Sequence, residues 1–174
     1  AMIGNGSAEG AETNEGKKAM VSLRFQPTAA VVVEVYGDFE DRPGATDRTT
    51  YDAFVGFKGS ASRYALQYAS QDRDVVGGPS QTLAVGSVYG VWNLGDKSSL
   101  IARFDRSFDA NPEADKIPYL PIAKDVAFDL ALLGWDYKLH KKISLIPNLE
   151  YVMYREPDGV SAPDDGIVGK LTRL

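Results

Sequence analysis

Between Ile143 and Tyr154 the chain alternates with a period of two. Ile143, Leu145, Pro147, Leu149, Tyr151 and Met153 fall on one side, and Ser144, Ile146, Asn148, Glu150, Val152 and Tyr154 on the other. Successive side chains of a strand point to opposite faces, so this run specifies a strand with one wholly apolar face. A second extended run, Val126 to Lys138, precedes it across a short polar turn from Leu139 to Lys142, which makes the pair a hairpin. An apolar side that meets no charge has two solutions. In water it is packed into a core. In a membrane barrel it faces lipid while the other side faces a wet interior.

The same alternation recurs along the chain. Strands are expected at 19–26, 30–39, 51–58, 63–69, 83–92, 100–105 and from 167 onward. The run at 63–69 also permits a short helix, with Tyr64 and Tyr68 four apart. Residues 1–18 read as a Gly-rich extracellular loop with a strand stub at Met2-Ile3, and residues 19–174 as one meander of about nine strands. Pro27-Thr28 reads as a tight turn, 70–81 as a polar loop, and 108–124 as a long loop with three prolines. The alternation conflicts with itself at one place. Phe128, Leu130 and Leu132 make one apolar series, and Leu133, Trp135 and Tyr137 the opposite one, so a bulge near 132–134 is expected.

The connections alternate between short and long. Turns after residues 26, 58, 93 and 138 are tight, and those after 39, 70, 107 and 154 are longer. In an up-and-down meander every second connection lies at the same end, so one end carries turns and the other loops. Sandwiches and jelly rolls mix long crossovers and have no reason for this regularity. Charges segregate too. Arg24, Glu34, Asp38, Asp52, Lys58, Arg63, Arg103, Asp105 and Glu150 share the side opposite the apolar one. Buried in a dry core they would cost several kcal/mol each unless paired, whereas a wet lumen accommodates them cheaply. Phe39, Phe57, Trp92, Trp135 and Tyr137 lie near strand ends, where interfacial rings sit. Trp92 reads as inward in this register, with Gly86 and Gly90 on its side making room for it. The fold class expected is all-β, an antiparallel up-and-down transmembrane β-barrel or the C-terminal portion of one.

Composition removes several kinds of chemistry. The 174 residues contain no Cys, so disulfides, thiol chemistry and the common zinc sets are excluded. The single His, His140, sits in a turn among charged residues, a poor place for a catalytic base. The net charge is −5 with no basic block, which gives nucleic acid binding no footing. Asp105, Asp109, Glu113 and Asp115 lack the spacing of a calcium loop and read as a solvated acidic stretch. No nucleophile elbow, zincin motif, P-loop or dinucleotide fingerprint occurs, so no enzymatic activity and no cofactor are expected. No apolar run of about 20 residues exists, which excludes a transmembrane helix and leaves a barrel untouched.

The segment LLGWDYKLHKKISLIPNLEYVMY, followed by a polar loop and GIVGKLTRL, resembles the end of bacterial outer-membrane porin-like proteins. The opening IGNGSAEGAETNEGKK, with the strand after it and YGDFED, resembles an internal loop-and-strand region of the same group. In that group the last strand commonly runs on to a terminal aromatic read by the assembly machinery. This sequence ends at Leu174 and departs from that pattern, as a truncated product or a segment of a larger barrel would. The resemblance implies location in the bacterial outer membrane, lipid and the barrel-assembly machinery as partners, and further strands or like subunits beside it. The function expected is a water-filled channel for passive diffusion of small hydrophilic solutes or ions. Arg24, Glu34, Asp52, Arg63, Arg103, Asp105 and Glu150 are the expected lining residues. Two other readings stay open: a non-conducting outer-membrane anchor or assembly partner, and a soluble antiparallel barrel that binds a hydrophobic ligand.

Overall fold

The computed structural model describes residues 1–5, 16–42, 44, 46–114, 123–155 and 167–173, the last group and Asn5 by backbone alone. It is an antiparallel up-and-down sheet. The strands are β1 (Met2–Asn5), β2 (Lys17–Thr28), β3 (Val31–Glu40), β4 (Asp47–Lys58), β5 (Ser62–Asp74), β6 (Gln81–Gly95), β7 (Ser98–Ser107), β8 (Ala127–His140), β9 (Ile143–Leu145), β10 (Asn148–Arg155) and β11 (Ile167–Arg173). Each pairs with its neighbour in sequence, except that β9 and β10 both lie on β8. The sheet is open: among the described residues, β1 and β11 each have one strand neighbour.

β9 and β10 are one strand interrupted by Pro147. Tyr137 faces Leu145 and Gly134 faces Asn148, so one register runs through the break. Proline supplies no N–H to the ladder, but its carbonyl still accepts from the Trp135 amide at 3.0 Å. The strand reading of 63–69 holds over the helical one, and the strand is longer than expected, reaching Asp74. The polar loop expected at 70–81 shrinks accordingly to 75–80. Pro27-Thr28 closes β2 through a register shift, and the turn itself is Ala29-Ala30. The tight connections are 29–30, 59–61, 96–97 and 141–142, and all the others are longer, so turns gather at one end of the sheet and loops at the other.

Two expectations are corrected. No bulge occurs at 132–134: β7 and β8 pair without interruption from Ser98–Tyr137 to Arg106–Asp129. Both apolar series of β8 are real, on opposite faces. Phe128 and Leu130 belong to the charged face, where the β7–β8 connection covers them. Its Ala114, 2% exposed, packs with Leu130 and Val152 in a small cluster flanked by Phe128 and Tyr154. Trp92 is also not inward. It pairs with Ser62 and Leu100, and Leu100 pairs with Trp135, all on the apolar face. It lies flat over Gly90, where an added Cβ would come within 2.3 Å of its ring. The indole N–H donates to the Tyr64 hydroxyl at 2.8 Å. The glycines do make room for rings: Phe108 similarly covers Gly86.

Candidate functional site: a charged concave face

In antiparallel pairing, directly opposed residues share a face. Arg24 opposes Glu34, Glu34 opposes Phe54, Phe54 opposes Gln67, Gln67 opposes Ser87, and Ser87 opposes Asp105. Asp52, Arg63, Arg103 and Glu150 fall on the same face by strand parity. All seven residues expected to line a channel therefore share one side of the sheet, as do Asp38 and Lys58. That side is concave, because Arg24 of β2 and Tyr89 of β6 border the same pocket of about 520 Å³.

The charges on this face form zones. Toward the loop end, Lys18 Nζ lies 3.1 Å from Asp38 Oδ2, which also accepts from the Tyr36 hydroxyl at 2.6 Å. Arg42 meets Glu40 at 3.6 Å, and Arg73 meets Glu113 of the β7–β8 connection at 3.4 Å. That last contact reaches from the connection past β6 to β5, so the connection lies across the concave face. Midway along the strands runs a chain of contacts. Asp52 accepts from the Gln67 amide at 2.6 Å, Gln67 Oε1 accepts from the Tyr89 hydroxyl at 2.5 Å, and the Arg103 guanidinium sits 4.8 Å over the Tyr89 ring. Arg103 Nε then donates to both oxygens of Asp105, at 2.9 and 2.7 Å. The chain crosses β4 to β7 and gives the buried Asp105 its counter-charge. Glu150 stands opposite Leu132, which in turn opposes Arg103. At the turn end, Lys58 and Arg63 oppose each other directly, with Arg24 at the edge of the same pocket.

Sequence parity places Gln67 on the charged side, but Gln67 and Tyr89 carry no charge, so a reading by charge alone passes over both. Counting every polar side chain of that parity finds Gln67 but not Tyr89, which an inward Trp92 puts on the other side of β6. Nothing in the periodicity pointed to Glu113 or Ala114, since connections carry none.

The opposite face is apolar and exposed over its middle, and toward the loop end it carries Arg106, Asp129 and Arg155, with Phe108 lying over Gly86. Leu23 and Phe25 are each 67% exposed, and Leu66 is 52% exposed. Buried hydrophobic residues, among those described, are Ala84, Ala114, Ala127, Leu130 and Val152. Aliphatic side chains (Val33, Val35, Val55, Leu66, Val88) occupy the middle of the apolar face. Rings gather on both sides of them: Phe57, Tyr64, Trp92, Trp135 and Tyr137 toward the turns, and Phe39, Tyr51 and Tyr68 toward the loops.

The borders of this apolar band do not follow the hydrogen-bond rows. The register carries Phe25 of β2 through Val33, Val55, Leu66, Val88 and Phe104 to Ala131 of β8. The rings at the turn end of β8 are Trp135 and Tyr137, four and six positions beyond Ala131. At the loop end, Asp129 of β8 traces back through Arg106, Gly86, Tyr68, Ala53 and Val35 to Leu23. The first charge on that face of β2 is Lys17, six positions further on. Both borders slide the same way, by roughly one residue per strand. With ~3.3 Å per residue and ~4.8 Å between strands, the band crosses the strands at a tilt of about 25–35°. Strands closed into a barrel tilt by about 35–45°.

No family model matches the chain, and neither does any curated protein or any solved structure.

Proposed function

We propose that this sheet is wall of an outer-membrane β-barrel that encloses a hydrated path for passive diffusion of small hydrophilic solutes or ions. The observation that carries the reading is the inclined apolar band. A sheet standing in a planar slab of lipid, with its strands tilted, has an apolar belt whose two edges cut diagonally across its register. Aliphatic residues in the middle of the belt and rings at both edges are the arrangement lipid and its interfaces favour. A soluble barrel or sandwich would instead cover its apolar face.

On this reading the turns lie at the periplasmic rim and the loops outside, and the barrel-assembly machinery and lipid are the partners. The lining is Arg24, Glu34, Asp52, Arg63, Arg103, Asp105 and Glu150, joined by Gln67 and Tyr89. The edges at β1 and β11 find strand partners in further strands of a longer chain, in one another or in other chains, since an open edge in lipid leaves backbone groups unsatisfied. Selection acts through charge and width, and no step requires covalent chemistry. Reconstitution of the folded protein into planar bilayers tests this. Discrete conductance steps are expected. Membrane insertion without conductance would favour a non-conducting anchor, and stable solubility without detergent would favour a soluble ligand carrier.

A further inference from the structure

Lys58 and Arg63 are directly opposed across the turn at 59–61, two like charges on one face. Like charges in that position destabilise a strand pair, so the arrangement needs a reason. Arg24 of β2 borders the same pocket, whose walls include Phe54, Tyr89 and Val32. Among the described residues, no carboxylate lies within ion-pair distance of Lys58, Arg63 or Arg24. The nearest acidic position is Glu34, opposite Arg24, and its Oε1 accepts from the Ser22 hydroxyl at 2.9 Å. The other zones of the concave face are different: Lys18, Arg42, Arg73 and Arg103 each face a carboxylate. Arg48 and Arg73 also oppose each other at the loop end, but there Glu113 meets Arg73 and Glu40 stands opposite Arg48, whereas among the described residues no carboxylate stands opposite Lys58 or Arg63.

We propose that this pocket is a binding subsite for small oxyanions of the phosphate or carboxylate class, placed at the turn-side mouth of the path. The inference rests on the channel reading for its place in transport, but not for the binding itself. Two guanidinium groups can each present a planar fork to an oxyanion, and Lys58 adds a point charge. Partly apolar walls weaken water's screening of those charges. An anion arriving there relieves the Lys58–Arg63 repulsion, so binding and local stability reinforce one another. A merely solvated rim would show neither property.

The test uses the full chain folded in detergent, with inorganic phosphate titrated by calorimetry against wild type, the double variant Lys58→Gln/Arg63→Gln, and Lys138→Gln as a control outside the pocket. The double variant removes a like-charge opposition and is expected to fold at least as well as wild type. Its phosphate affinity is expected to fall by about tenfold or more, from the loss of two charges near the ligand. Lys138→Gln is expected to bind as wild type does. Absence of phosphate binding in wild type, or equal affinity in wild type and double variant, overturns the subsite. Conductance separates the two readings. If the protein conducts, the double variant shifts the reversal potential in a KCl gradient away from chloride, and an unchanged potential overturns the placement at the mouth. If it does not conduct, the channel reading fails while calorimetry still decides the subsite.

Discussion

Replacing Leu66 by Arg sets the two faces against each other energetically. Leu66 lies at the centre of the apolar band, opposite Val55 and Val88 and between Tyr64 and Tyr68 along β5. An Arg facing lipid at mid-depth costs about 2–4 kcal/mol, and near an interface about 0–1. Leu66→Arg is therefore expected to cost about 2–4 kcal/mol. Ser70→Arg, on the same face but between Tyr68 and Asp72, is expected to cost at most about 1 kcal/mol. Ala69→Arg points to the concave face beside Asp52 and is expected to stay within about 0.5 kcal/mol of wild type. Urea titration of folding into lipid vesicles, followed by the emission of Trp92 and Trp135, measures all three. If the apolar face were instead wet, Leu66→Arg would be an exposed surface substitution, with an effect near zero. A cost for Ala69→Arg equal to or above that of Leu66→Arg would refute the assignment of faces.

Two further perturbations test particular contacts. Arg103→Met leaves the carboxylate of Asp105, a residue 3% exposed, without its main partner. Orphaning a buried charge costs about 3–5 kcal/mol, but Arg103 is nearly half exposed and screened, so about 1–3 kcal/mol is expected. Adding Asp105→Asn should recover most of the loss in the same urea titration, and a double variant no more stable than the single one would contradict the pairing. Gly90→Ala drives a methyl into the Trp92 ring and is expected to cost about 1–3 kcal/mol, with a shift in tryptophan emission. Trp92→Leu should remove most of that cost, and a Gly90→Ala protein as stable as wild type would disprove the stacking.

Period two made the strands and their faces legible, because parity survives any error in where a strand ends. The face of Arg24, Glu34, Asp52 and Arg63 could be read without knowing which strands pair. The misread Trp92 shows the limit. Gly86 and Gly90 carry no side chain, so on β6 the apolar parity has only Ala84 and Val88 to mark it between the aromatic and the loop, while Val85 and Val91 sit on the charged side. The supposed bulge in β8 had a different cause. Phe128 and Leu130 look misplaced only until the β7–β8 connection is laid over them, and that contact joins residues with no periodic signal. The inclination of the apolar band needed the register between strands, which a single sequence does not contain. The chain of contacts from Asp52 to Asp105 needed it for the same reason, since it links four strands through uncharged Gln67 and Tyr89.

The channel reading requires that the two faces of the sheet meet different solvents. The chain has no cysteine, so single cysteines can be introduced without background. Placed in turn at positions 63 to 68 of β5 in the membrane-reconstituted protein, they can be reacted with a charged, membrane-impermeant maleimide. Fast labelling is expected for Arg63→Cys, Ala65→Cys and Gln67→Cys, and protection for Tyr64→Cys, Leu66→Cys and Tyr68→Cys. Uniform labelling along the strand, or alternation in the opposite phase, would contradict the account.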